Sequence, residues 1–97
     1  MHKQKRYIIK RVVITGAYDV IGTAISEMMA EKGYSPVLVG RDPSKVDKVC
    51  RQVKEATGNE DVSGYAVDLS REKEIEAFAQ NLPGPVHVLI NNVGTNR

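Results

Sequence analysis

The sequence predicts an α/β fold: a four-stranded parallel sheet in the order 3-2-1-4 with three helices. Two observations carry this prediction. Short apolar runs alternate with amphipathic stretches of helical spacing from Arg11 to Ile90, and turn or capping residues mark the boundaries between them. A parallel connection needs a crossover, and one helix between each pair of runs supplies it. Right-handed crossovers in a doubly wound arrangement then give that strand order.

The first strand is Arg11 to Thr15 (RVVIT), closed by Gly16. Ile21, Ala24, Ile25, Met28 and Met29 recur at helical spacing and predict the buried stripe of the first helix, which stops at Lys32-Gly33. Pro36 to Gly40 (PVLVG) is the second strand. Asp42-Pro43 starts the second helix, with Asp as N-cap and Pro at the first helical position. Val46, Val49, Cys50 and Val53 form its apolar stripe, and Thr57 to Asp61 is a turn. Ser63 to Val67 is a less hydrophobic third strand. Ser70 is the predicted cap of a third helix burying Ile75, Phe78, Ala79 and Leu82. Pro83-Gly84-Pro85 ends it, and Val86 to Ile90 (VHVLI) is the fourth strand. The pattern is that of a partial Rossmann fold.

Composition narrows the class. At 97 residues, 41% hydrophobic and 27% charged, the chain is one globular unit or less. Residues 1–10 read as a basic arm, with residues 11–97 the half-domain. Lys3, Lys5, Arg6, Lys10 and Arg11 crowd the start without an acid among them. Two readings stand: an arm touching phosphates, or a solvated leader for the first strand. The leader is favoured, since Tyr7 alone could stack on a base. A net charge of +2 gives no strong nucleic-acid signal. No run is apolar enough to span a membrane and no secretory leader is visible. The expectation is a soluble protein of cytoplasm or an organelle interior, not secreted, its compartment otherwise unknown. Cys50 is the sole cysteine and His2 and His87 lie far apart, so no disulfide or metal site is predicted.

Thr15-Gly16-Ala17-Tyr18-Asp19-Val20-Ile21-Gly22 joins the first strand to the first helix. At such a junction free amides and the positive end of a helix can hold a diphosphate. The loop resembles that of the short-chain dehydrogenase/reductase family, T-G-x-x-x-G-x-G, with Thr15, Gly16 and Gly22 on the pattern. Val20 replaces the family's middle glycine, where a branched side chain crowds the cofactor. Asp19 can cap the helix itself and repel a diphosphate. Tyr18 stands where many relatives have a small polar residue.

Three further places carry the resemblance. Gly40-Arg41-Asp42 ends the second strand. An enzyme selecting NAD places an acid near here for the ribose 2′-OH, whereas Arg neutralises the 2′-phosphate of NADP. Gly40 leaves the acid position empty and Arg41 follows, which implies NADP over NAD. Asp68-Leu69 ends the third strand; the resemblance gives Asp68 to the adenine amino group, and capping of the third helix with Ser70 is its alternative. Asn91-Asn92-Val93-Gly94 resembles the family's N-N-A-G, so Asn91, Asn92 and Gly94 carry over beside the nicotinamide ribose. The segment around GRDPSKV and EATGNEDV is similar to the retinol-dehydrogenase-like branch. The implied cofactor-binding set is Thr15, Gly16, Tyr18, Val20, Ile21, Gly22, Arg41, Asp68, Leu69, Asn91, Asn92 and Gly94.

The family's catalytic Ser and Tyr-x-x-x-Lys lie beyond the fourth strand. Here Tyr7, Tyr18, Tyr34 and Tyr65 are followed four residues later by Arg11, Gly22, Leu38 and Leu69, so none makes the pair. No catalytic residue is assigned, and the chain alone is expected not to transfer hydride. The fourth strand is central in the complete fold, so a partner chain or a missing C-terminal half is expected along Val86 to Ile90. The implied function is an NADP(H)-binding segment of an oxidoreductase whose complete parent acts on a carbonyl or alcohol. The alternative is a non-catalytic Rossmann module, a structural or interaction subunit of an assembly.

Overall fold

A computed structural model describes residues 10–92. The elements follow in the order β1 (Arg11–Thr15), α1 (Val20–Glu31), β2 (Ser35–Gly40), α2 (Pro43–Thr57), β3 (Ser63–Ala66), α3 (Glu72–Asn81) and β4 (Val86–Asn91). The sheet order is β3-β2-β1-β4 and every pair is parallel, as the alternation of runs and helices predicts. The basic arm, Lys10 and Arg11 apart, lies outside the described residues, as does Gly94.

Pro36 is accommodated because of where its nitrogen faces. The Ser35 amide donates to the Lys10 carbonyl on the β1 side, so the next nitrogen points the other way. Pairing with β3 begins only at Val37 opposite Ser63, leaving no ladder bond for Pro36 to miss.

Helices α1 and α2 cover one face of the sheet. There Val12, Ile14 and Leu38 are fully buried with Val46, Val49, Cys50 and Val53 of α2. Burying one such aliphatic side chain is worth about 1.5–3 kcal/mol. α3 covers the opposite face, where Val13, Val37, Val39 and Val67 meet half-buried Phe78 and Leu82.

Several boundaries and faces differ from expectation. α2 runs through Thr57 and is closed by Gly58 at φ 76°, so the turn begins one residue later than predicted. The residue capping α3 is Arg71, without a side-chain bond, because the Ser70 hydroxyl donates to Asp68 instead. Gly22, Ser26 and Ala30 are the buried residues of α1, while Ile21, Ala24 and Met28 of the predicted stripe are exposed. Small residues let the helix axis sit close to β1, which rotates the bulky side chains outward. No residue of α3 is buried; Ile75 and Ala79 face solvent because no second helix flanks them among the described residues.

Asn59 is a tether that periodicity does not reveal. Its amide donates to the carbonyls of Ala30 (2.9 Å) and Tyr34 (3.0 Å), tying the end of α1 to the start of β2. His87 occupies a register shift between β1 and β4, where its Nδ1 accepts from the Arg11 amide at 3.2 Å. The imidazole thus takes up the Arg11 amide at the point where the ladder register shifts.

Candidate functional site

A cavity of about 470 Å³ opens at the carboxyl ends of β1, β2 and β3. Open α/β sheets bind ligands in this crevice, outside the strand ends. Its lining includes Gly16, Tyr18, Asp19, Gly40, Arg41, Asp68 and Leu69. Gly16, Tyr18, Arg41, Asp68 and Leu69 of the predicted set therefore share one wall system.

The glycine loop folds as tightly as its residues require. Gly16 has φ 62°, and a Cβ there would collide with the Asn92 carbonyl oxygen. A Cβ on Gly22 would strike the Gly16 carbonyl, so this residue sets the closeness of α1 to β1. Asp19 is the N-cap of α1, its Oδ1 accepting from the Gly22 amide at 2.7 Å. The Asn92 side-chain amide donates to Asp19 at 3.1 Å and 3.3 Å, and to the Gly16 carbonyl at 3.2 Å. The carboxylate anticipated as a competitor for the helix end thus has its own donors. Val20 is 85% exposed and Ile21 62%, and neither lines the cavity.

Thr15, Asn91 and Asn92 form a knot behind the loop. The buried Thr15 hydroxyl donates to Asn91 Oδ1 at 2.9 Å and accepts the Asn92 amide at 3.0 Å. Thr15 is therefore a pin between β1 and β4, its hydroxyl fully engaged inside the fold.

The far end of the cavity is electrostatically mixed. Arg41 is exposed at the close of β2. Asp42 caps α2, accepting from the Ser44 hydroxyl and the Ser44 and Lys45 amides. The Ser44 hydroxyl is the main cause that holds the Asp42 carboxyl below its ordinary value. Asp68 Oδ1 accepts from the Ser70 hydroxyl (2.7 Å) and amide (3.0 Å). Those two bonds outweigh the opposing effect of burial and keep the Asp68 carboxyl low, with lesser help from the positive charges of Arg41 and Arg71. Asp68 thus forms a turn with Ser70 in place of the expected cap of α3, and stands on the cavity wall.

Tyr18 crosses the loop to β2. Its ring lies against Gly40, its hydroxyl accepts the Asp42 amide at 3.3 Å, and the Lys45 ammonium stands 5.6 Å from the ring centroid. The Lys45 contact was not legible in the sequence, because only the crossing of α2 over the loop brings the pair together.

This geometry is accompanied by clear likeness to known proteins. The short chain dehydrogenase profile matches residues 10–97. The chain belongs to the short chain dehydrogenase family. It is 39% identical to human (Homo sapiens) retinol dehydrogenase 11 over 88 residues, covering 88% of this chain and 28% of that protein. It is 38% identical to the very-long-chain 3-oxoacyl-CoA reductase of Mycosarcoma maydis over 85 residues, covering 84% of this chain and 24% of that protein. Among solved structures, L-sorbose reductase from Gluconobacter frateurii, complexed with NADPH and L-sorbose, aligns with TM-score 0.80 and 34% identity. That alignment covers 92% of this chain and 35% of the reductase. An actinorhodin polyketide ketoreductase variant with NADPH aligns with TM-score 0.82 and 29% identity over 90% of this chain and 34% of its own. The chain therefore spans roughly a quarter to a third of the relatives it matches. The likeness to the retinol-dehydrogenase-like branch is borne out by the first of these relatives. Among the described residues, no helix is long and apolar enough to cross a membrane.

Proposed function

We propose that this segment binds NADP(H) for an oxidoreductase acting on a carbonyl or alcohol. The observation that carries the reading is the joint placement of Arg41, Asp68 and the Gly16 turn around one cavity, with Gly40 rather than an acid at the end of β2. A guanidinium matches a phosphate in charge and geometry, and an empty acid position removes the partner of a free 2′-OH. The residues present fit the adenosine half of the cofactor. Asp19 carries the sign that repels a diphosphate at the start of α1, and its bonds to the Gly22 amide and Asn92 engage its oxygens without neutralising them.

In this reading Arg41 meets the 2′-phosphate and Asp68, beside Leu69, receives the adenine amino group. The loop from Gly16 through Tyr18, Val20 and Ile21 to Gly22 carries the diphosphate, with Thr15 holding it from behind. Asn91, Asn92 and Gly94 border the nicotinamide ribose. A bound nicotinamide would give hydride to a carbonyl or take it from an alcohol; no residue of this chain is given a catalytic role. Substrate binding belongs to a complete parent, and the remainder of the fold or a second chain is proposed along β4. NADPH in the solved relatives supports the cofactor reading over a purely structural module.

Calorimetric titration of the chain with NADPH and NADH tests this. Tighter binding of NADPH is expected, with Arg41→Ala reducing its affinity about tenfold, an effect of about 1.4 kcal/mol, and leaving NADH unchanged. Asp19→Ser combined with Val20→Gly should strengthen both. No heat at high micromolar nucleotide, in the parent chain and that double variant alike, would favour the structural module.

A further inference from the structure

We propose that Tyr18 and Gly40 act as one specificity element, in which the tyrosine ring fills the space an acid at position 40 would need. The inference rests on the NADP(H) reading of the cavity and adds a physical reason for its preference. A Cβ built on Gly40 collides with the Tyr18 ring edge, before any carboxylate is added. The ring is held at several points: by the Asp42 amide on its hydroxyl, by the Lys45 ammonium over its face, and by packing against the cluster under α1 and α2. Moving it aside would break these contacts together.

Tyr18 also stands between two cavities. One is the site already described; the other, of about 300 Å³, is bordered by Lys45, Lys48, Val49 and Gln52. The ring thus brings a lysine-bearing face of α2 up to the end of β2 while closing the position from which a carboxylate would accept a ribose 2′-OH. An acid at position 40 would in addition share the cavity wall with Asp68. With the ring in place, Arg41 is the group left to meet the 2′ substituent. NADP selection here comes from exclusion as well as attraction.

The test is a double-mutant cycle on the full chain with Tyr18→Ser, Gly40→Asp and both together, and Gly40→Ala as a gentler probe of the same contact. Two quantities are measured: Tm without nucleotide, and affinity for NADPH and NADH by nucleotide fluorescence. Gly40→Asp and Gly40→Ala alone should lower Tm, by about 5 °C or more for the larger side chain. In the Tyr18→Ser background the same changes should cost less than half as much. NADH affinity should rise about tenfold only in the double variant, which has both the acid and the room for it. Additive Tm losses, or an equal gain of NADH affinity by Gly40→Asp alone, would overturn the paired role while leaving the NADP(H) reading intact. If the parent chain binds neither nucleotide although the Tm losses are coupled, the NADP(H) reading fails and the selecting role falls with it.

Discussion

On the face beneath α1 and α2, Val12, Ile14 and Leu38 have no exposure; on the face bearing α3, Leu89 of β4 stays 64% exposed and the helix itself buries no residue. The apolar runs that supply these residues read alike, VVIT, PVLV and VHVLI. What separates them is the layer above. Two helices that contact each other seal the first face, whereas α3 crosses the second alone. β4 pairs with β1, and its other edge has no partner among the described residues. Hydrophobicity of a strand therefore states what it can bury, and topology decides what it does bury.

The largest expected effect comes from breaking the sealed face. Leu38→Ala should cost about 2–5 kcal/mol, because its neighbours on β1, β3 and α2 cannot collapse into the space. Leu89→Ala, the same chemical change on the open face, should stay within about 0.5 kcal/mol. Urea unfolding of both variants checks the pair. Equal losses would mean that the second face is covered in solution, by another copy of the chain or by a segment outside the described residues.

Legibility follows the same division. The four strands, the parallel order and the α2 stripe were readable because β-branched runs, a Pro-marked helix start and a clean helical period all point the same way. The α1 face was not, since its buried residues Gly22, Ser26 and Ala30 are weakly hydrophobic and are chosen for closeness to β1. The end of α3 nearest the site was misread because Ser70 has two uses for one hydroxyl, a helix cap or a turn with Asp68, and the turn wins. At the site, the motifs give the loop, Arg41 and Asp68, but pattern alone does not show that Asn92 holds both Gly16 and Asp19. That contact joins residues 73 and 76 positions apart, and only the β1–β4 pairing creates it.

A smaller effect should come from the tether at the rim of the sealed face. Asn59→Ala removes the side-chain donor to the Tyr34 carbonyl, while the Ala30 carbonyl keeps the Gly33 amide. Leaving a part-buried acceptor unpaired costs about 1–3 kcal/mol. The loss should be local, so hydrogen exchange of the amides around Gly33 to Ser35 should accelerate more than that of Val37 to Val39. Uniform acceleration across β2 would show that the tether is coupled to global unfolding instead.

The smallest effects are ionic, and they too divide the molecule. Cys50 belongs to the sealed face, where burial pushes its thiol above the ordinary value of 9.0. A raised folded pKa gives stability that is complete below the unfolded value and is lost as pH rises toward the folded one, so the chain should weaken above about pH 9. Cys50→Ala should flatten that alkaline limb. Asp42 and Asp68 lie at the open rim, with carboxyls held below the ordinary 3.8 chiefly by the Ser44 and Ser70 hydroxyls. A depressed folded pKa gives stability that is present above the unfolded value and is lost as pH falls through the folded one, so their contribution disappears below about pH 3.8. Because both carboxylates are only partly buried at the rim whereas Cys50 is buried, solvent and salt screen this acid limb more than the alkaline one. Tm measured against pH at low and high salt should show the acid slope shrinking with salt and with Asp68→Asn, while the alkaline slope follows Cys50 alone. A salt-sensitive alkaline limb that survives Cys50→Ala would place its origin among surface charges and remove the distinction between the two regions.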